Sequence, residues 1–139
     1  MRIEHAAWQV ADPVAAAKWY VAHLGMRVVR QSGPPAHMRF LADATGRVLL
    51  EIYHNPAAPL MDYATTNPLV LHLAFVVADV AAERDRLVAA GASVVDAFTV
   101  TPAGDQMAML RDPWGFAVQL VKRKEPMPEG TSSPSATER

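Results

Sequence analysis

The stretch VLHLAFVV, at residues 70–77, is short, apolar and rich in β-branched residues, and it carries one histidine, His72. The chain begins in a similar way, because residues 3–10 read IEHAAWQV and carry His5. An Ala-Asp pair and an alanine-rich run follow both stretches, and the two histidines are 67 residues apart (72 − 5). This repeat predicts two copies of one structural unit, each with a histidine on its first strand.

The local signals within each unit predict the order β-α-β-β-β. Alternating polar and apolar residues at 3–10 indicate a half-buried strand. Asp12 is a suitable N-cap for a helix whose first residue is Pro13, and short apolar runs with turn residues between them indicate three further strands. The second unit repeats this plan, with Asp79 as the helix cap.

These signals predict an α+β fold in a single domain over residues 1–122. Module one spans 1–55 and module two spans 70–122, and a proline-rich linker at 56–69 joins them. The segment 123–139 is rich in Pro, Ser, Thr and charged residues, and it is predicted to be a disordered tail.

The composition narrows the class of protein. With 51% hydrophobic and 19% charged residues, the 139-residue chain is predicted to be globular. A net charge of −1 without a basic cluster disfavours nucleic acid as a partner. No apolar run could span a membrane, and the first residues lack a signal-peptide pattern. The absence of cysteine excludes disulfides and thiolate chemistry, and it leads us to expect a cytoplasmic protein.

Each unit carries two polar residues at corresponding places. His5 and Glu51 are 46 residues apart (51 − 5), and His72 and Gln119 are 47 apart (119 − 72). A single histidine in a strand is more often a hydrogen-bonded core residue than a ligand. An ionised carboxylate at Glu51, however, is flanked by aliphatic residues and would be costly to bury unless it is paired or coordinated. Two histidines and one carboxylate suffice for Lewis-acid chemistry or for oxygen activation at ferrous iron.

Five segments share an arrangement with known proteins: MRIEHAAWQV at the start, WYVAHLGMRVV after the first helix, LEIYHN, HLAFVVAD, and RDPWGFAVQLV near the end. In these segments the chain resembles the vicinal oxygen chelate (VOC) superfamily. That superfamily includes glyoxalase I, methylmalonyl-CoA epimerase, extradiol dioxygenases, fosfomycin resistance enzymes and bleomycin-binding proteins. The resemblance covers about residues 1–122, and the layout is most similar to that of bacterial glyoxalase I.

The resemblance implies that the paired modules form cupped mixed sheets around a divalent metal ion, which could be Zn, Ni, Fe or Mn. It implies a homodimer in which module one of one chain and module two of the other build each site. The implied ligands are His5, Glu51, His72 and Gln119. The implied activity is that of a glyoxalase-type lyase or isomerase, which acts through a metal-chelated enediolate with Glu51 as the catalytic group.

Several candidate substrate-binding residues also follow. Asn55 falls where glyoxalase I has an asparagine that contacts glutathione, and Gln9 stands where glyoxalase I has an arginine that binds a glutathione carboxylate. Tyr53 shares its predicted strand face with Glu51. Trp114, in an Asp-Pro-Trp-Gly turn, is a candidate for the pocket rim, and a surface tryptophan on a turn is the alternative.

The fourth ligand position departs from the pattern of glyoxalase I, because Gln119 replaces the usual glutamate. A glutamine can ligate a metal, but it cannot act as a general base. Two further functions therefore remain open beside the glyoxalase type. One is a ferrous extradiol-type dioxygenase using His5, His72 and Glu51. The other is a metal-free small-molecule-binding protein of the bleomycin-resistance type.

Overall fold

Two four-stranded sheets, each with one helix, make up the part of the chain that the structure describes. The structure is a computed structural model, and it describes residues 3–128, so most of the predicted tail lies outside the described residues. The elements in chain order are β1 (Ala6–Gln9), α1 (Pro13–His23), β2 (Arg27–Gln31), β3 (Arg39–Ala42), β4 (Val48–Tyr53), β5 (Leu73–Val76), α2 (Val80–Ala89), β6 (Ser93–Val100), β7 (Gln106–Arg111) and β8 (Ala117–Lys122).

The two sheets have the same topology. The strand orders are β1-β4-β3-β2 and β5-β8-β7-β6. In each sheet the first pair is parallel and the other pairs are antiparallel. The predicted α+β class with two βαβββ modules and mixed sheets is therefore confirmed. The linker at 56–69 contains turns but no strand or helix.

Each helix covers one face of its own sheet. Apolar side chains of α1 pack with Trp8, Leu41 and Ile52 in one core cluster, and those of α2 pack with Leu110 and Leu120 in a second cluster. Side chains alternate along a strand, so the neighbouring residues point to the other face. We call this other face the helix-free face, and it is defined by His5, Ala7, Phe40 and Glu51 in module one and by His72, Ala74, Met109 and Gln119 in module two.

Both helices begin and end as their local sequence predicts. The side chain of Asp12 accepts a hydrogen bond from the Ala15 N–H at 2.9 Å, and that of Asp79 accepts one from Ala82 at 3.0 Å. Gly91, just past the end of α2, has a φ of 101°, which glycine adopts without steric cost. These caps depend only on adjacent residues, which is why the sequence predicts them well.

The first strand of each module is shorter than predicted. Strand β1 starts at Ala6 and β5 at Leu73, so each histidine lies one residue before its strand, and the prediction of a histidine on the strand was wrong by one residue. In module two the cause is a turn at Asn67. Its side chain accepts a hydrogen bond from the Leu69 N–H at 2.9 Å, and its backbone carbonyl accepts one from Val70 at 2.9 Å. The apolar residues 69–71 therefore remain outside the sheet.

Helix α1 also connects the two modules. Tyr20 donates a hydrogen bond to the Asp112 carboxylate at 2.8 Å, and the Trp19 indole N–H donates one to the Ala90 carbonyl at 2.8 Å. Trp8 of β1 stacks on Phe116 with ring centroids 4.4 Å apart, and both rings are buried in the core. Within residues 3–128 no helix is long and apolar enough to cross a membrane.

Candidate metal centre

His5 and Glu51 lie together on the helix-free face of module one. The pairing of β1 with β4 sets Ala7 opposite Glu51, and His5 lies two residues earlier on the same face. The His5 Nε2 atom is 3.3 Å from the Glu51 Oε2 atom. The two side chains are 32% and 21% exposed, so both are partly accessible to a ligand.

Two neighbours orient the His5 ring. Its Nδ1 atom contacts the Glu4 carboxylate, and Phe40 packs edge-on against the ring with centroids 5.2 Å apart. The hydrogen bond to Glu4 is the main cause of the raised pKa of His5. Desolvation opposes this effect, and the negative charges of Glu4 and Glu51 add to it. A carboxylate on the second ring nitrogen is a common partner of metal-binding histidines, because it fixes the tautomer.

His72 and Gln119 occupy the matching positions of module two. Ala74 lies opposite Gln119, just as Ala7 lies opposite Glu51, and His72 lies two residues before Ala74. The His72 Nδ1 atom is 2.8 Å from the Pro68 carbonyl oxygen. Because a carbonyl oxygen can only accept, the neutral form of this ring carries its proton on Nδ1 and its lone pair on Nε2.

The four predicted ligands do not all meet within one chain. In the described part of a single chain, no group of three or more His, Cys, Asp or Glu side chains could hold a metal ion. The pair that does meet fits a metal, since two ligands about 2.1 Å from one ion lie roughly 3.0–3.4 Å from each other. The 3.3 Å separation of His5 and Glu51 is compatible with that geometry.

Gln9 and Asn55 are engaged with the linker. Gln9 is buried, and its side-chain oxygen accepts a hydrogen bond from the Asn55 N–H at 2.6 Å. Its amide nitrogen donates to the carbonyls of Ala58 and Pro59 at 3.2 and 3.3 Å. The Asn55 side-chain oxygen accepts from the Ala57 N–H at 3.0 Å. In this structure both residues hold the start of the linker against β1.

The two aromatic candidates lie in different places. Tyr53 is half-buried and lies opposite Gln9 on the helix-free face. Trp114 packs against Trp19 of α1, with ring centroids 6.5 Å apart, so it lies on the helix-covered side of the fold. Asp112 accepts a hydrogen bond from the Trp114 N–H at 2.9 Å, which fixes the turn.

Two residues of the site were not among the sequence candidates. Glu4 contacts the His5 ring, and Phe40 covers one edge of it. Glu4 is adjacent to His5 in sequence and was therefore within reach of prediction. Phe40 comes from β3, and only the observed register of β3 with β4 places it opposite Glu51.

A comparison with protein families identifies the superfamily of the chain. The family model for the glyoxalase/bleomycin resistance protein/dioxygenase superfamily matches residues 2–120. The chain therefore belongs to this superfamily, which is the VOC superfamily that the sequence motifs resemble. None of the curated proteins is significantly similar in sequence to the chain.

Several solved structures share the fold. A glyoxalase family protein from Enterococcus faecalis is 25% identical, with a TM-score of 0.67 over 87% of this chain and 97% of that one. A glyoxalase family protein from Bacillus cereus is 15% identical, with a TM-score of 0.72 over 88% and 93%. Glyoxalase I from Zea mays is 23% identical, with a TM-score of 0.70 over 89% of this chain but only 45% of the maize chain. The similarity to the Bacillus cereus and Zea mays structures shows only that the fold is shared, because the sequence identities are low.

Proposed function

We propose that the protein is a metal-dependent lyase or isomerase of the glyoxalase type. Its ligands would be His5, Glu51, His72 and Gln119, and the ion would be Zn, Ni, Fe or Mn. The observation that carries this proposal is the state of the two histidines. Each has an oxygen acceptor at Nδ1, which leaves its Nε2 atom available as a metal ligand.

The site would be completed by a second copy of the chain. Each module supplies one histidine and one oxygen ligand at matching register positions, and one chain alone does not bring all four together. A homodimer in which module one of one chain meets module two of the other would supply four ligands per site. This assembly agrees with the exposed apolar side chain of Val76, on the same face as His72.

The residues of the chain have separate roles in this proposal. A bound divalent ion would supply Lewis-acid stabilisation of negative charge on substrate oxygens. Glu51 is the only carboxylate among the four positions, so it would carry a proton from one carbon of the substrate to its neighbour. Gln119 would bind without taking part in proton transfer, because its amide is not basic.

The substrate would be a small molecule with two adjacent oxygens. Glyoxalase I acts on a glutathione adduct through an arginine at the position of Gln9. Here the Gln9 amide is occupied by the linker, and its burial leaves little room for a substrate carboxylate. This arrangement favours a thiol adduct of methylglyoxal, or a related compound, that does not depend on a glutathione carboxylate at that point.

The test is elemental analysis of the purified, untagged protein by plasma mass spectrometry. We expect about one metal ion per chain in the wild type and loss of the metal in the double variant His5→Ala, His72→Ala. His23→Ala, in the last turn of α1, is the matched control and should keep the metal. Zn or Ni would direct assays to thiol adducts of methylglyoxal, and iron would direct them to oxygen uptake with catechols. A wild type that takes up no metal after reconstitution would contradict the proposal and favour a metal-free binding protein.

A further inference from the structure

A row of four residues crosses the helix-free face of module one at the level of Glu51. In the observed register Ala7 lies opposite Glu51, Glu51 lies opposite Phe40, and Phe40 lies opposite Arg30. Residues that are directly opposite in a sheet point to the same face. Arg30 of the edge strand β2 therefore points to the face that carries the candidate metal ligands.

A register shift in β2 is what turns Arg30 to this face. Val28 lies opposite the buried core residue Leu41 and points towards α1, and the register then shifts at Val29 before Arg30 pairs with Phe40. Without that extra residue, Arg30 would follow Val28 to the helix-covered side by simple alternation. Bulges commonly redirect a side chain beside a functional site.

Module two has the same bulge with the opposite charge. Val94 lies opposite Leu110, the register shifts, and Asp96 pairs with Met109, which in turn lies opposite Gln119. The two rows are thus Ala-Glu-Phe-Arg and Ala-Gln-Met-Asp. In each module the bulge places a charged residue two strands away from the candidate oxygen ligand. That residue is the cation Arg30 in module one and the anion Asp96 in module two.

Arg30 is available to a ligand. It is exposed, and among residues 3–128 no acidic side chain forms an ion pair with it. Its backbone is two strand spacings from Glu51, which is about 10 Å, and its side chain can shorten that gap by several ångströms. The half-buried ring of Phe40 fills the space between them and provides an apolar floor.

We infer that Arg30 is a substrate-binding residue, and that it holds a carboxylate at the far end of a substrate whose adjacent oxygens bind beside Glu51. A guanidinium binds a carboxylate through two parallel hydrogen bonds, and a single cation on the row matches the single charge of a carboxylate. The substrate class is a short, apolar-centred carboxylic acid with a chelating end. This inference rests on the proposed function, because it needs the metal site as its second anchor.

The test compares two chelators that bind a metal through adjacent oxygens. Glutarate monohydroxamate carries a distal carboxylate, and pentanohydroxamate is its neutral counterpart. Both are titrated by calorimetry into the full-length protein reconstituted with Zn²⁺. We expect the wild type to bind the anionic compound about tenfold more tightly than the neutral one.

The variants assign that preference to Arg30. Arg30→Gln should bring the ratio of the two dissociation constants to about one and leave the affinity for the neutral compound unchanged. Arg30→Lys should keep part of the preference, and Arg47→Gln, which removes an exposed charge from the β3–β4 turn, should keep all of it. An unchanged ratio in Arg30→Gln, or no preference in the wild type, would overturn the inference while the metal site stands. Failure of the neutral compound to bind would instead refute the metal site, and this inference with it.

Discussion

At the scale of single residues, the contacts of the two histidine rings are what favour the proposed metal site over an ordinary ion pair. His5 and Glu51 at 3.3 Å could form a simple charge pair, but His5 already contacts Glu4 through its other nitrogen. His72 has no such carboxylate, but its Nδ1 atom lies 2.8 Å from the Pro68 carbonyl oxygen, so both rings have an oxygen partner at the same nitrogen. An oxygen partner at Nδ1 of both histidines, at two equivalent positions of the repeat, is the observation on which the proposed metal site rests.

Glu51→Gln provides the residue-scale test of the proposed chemistry. The amide keeps the size of the side chain but cannot take up a proton, so turnover of a methylglyoxal–thiol adduct should fall by about a hundredfold or more. The thermal midpoint should stay close to that of the wild type, because Glu51 is not part of either core cluster. Glu125→Gln, an exposed change after β8, serves as the control. Wild-type turnover in Glu51→Gln would contradict its role as a base.

Tyr20→Phe tests the hydrogen bond that joins the two modules. Burial raises the pKa of Asp112, and the bonds from Tyr20, Phe116 and Trp114 oppose that effect. Removal of the Tyr20 hydroxyl leaves one buried carboxylate oxygen without its partner, so we expect a loss of about 1–3 kcal/mol in the free energy of unfolding. Urea titration measures it, and Tyr53→Phe is the control. An unchanged midpoint would show that the bond does not stabilise the module contact.

At the scale of elements, the sequence correctly predicted the helix caps, because a cap depends only on residues that are neighbours along the chain. The caps at Asp12 and Asp79 need only the next three residues, and both were predicted correctly. The start of β5 was placed too early because the Asn67 turn competes with an apolar run that otherwise favours a strand. The shift at Val29 could not be predicted, since a bulge is a property of two paired strands.

The end of β8 is tied to the β6–β7 turn through Asp105. Its carboxylate accepts hydrogen bonds from Arg123 at 2.6 Å and from the Lys124 N–H at 3.0 Å, and the bond from Arg123 is the main reason that the pKa of Asp105 is lowered from 3.8. Because the folded state binds the proton less readily than the unfolded state, this contribution to stability is fully present above about pH 3.8. It is lost as the pH falls through the lower, folded-state pKa.

Asp105→Asn should show this dependence in acid titrations of stability. At neutral pH the variant should unfold at a lower urea concentration than the wild type, and the difference should shrink as the pH falls below 3.8. Asp85→Asn, at an exposed position on α2, should follow the wild type across the same range. A constant difference between Asp105→Asn and the wild type at every pH would mean that the charge of Asp105 is not what stabilises the turn.

At the scale of the whole molecule, the 67-residue repeat predicted more than composition did. It placed His5 with His72, and with one added residue in module two it placed Glu51 with Gln119 (119 − 51 = 68). In the strand registers Ala7 lies opposite Glu51 as Ala74 lies opposite Gln119, so the two pairs occupy equivalent positions. Neither the repeat nor the structure of one chain determines how two copies would meet in the proposed dimer. The side chains that would decide it, such as Leu69 at 80% and Val76 at 78% exposure, are largely open to solvent in one chain. The apolar run that contains Leu69 and Val76 is equally typical of a buried strand. The sequence alone therefore could not identify a contact surface.

Val76→Asp tests whether dimerisation and metal binding depend on each other. Val76 lies on the helix-free face of β5 in line with His72. A carboxylate at this position would become buried in the proposed dimer contact, so it should oppose association with a second copy. We expect the wild type to sediment as a dimer with about one metal per chain, and Val76→Asp to sediment as a monomer that loses most of its metal. Val88→Asp, on the outer side of α2 and 42% exposed, should behave as the wild type. A monomeric Val76→Asp that keeps its metal would mean that one chain builds the site by itself, and His72 and Gln119 would then have to move towards Glu51 within that chain.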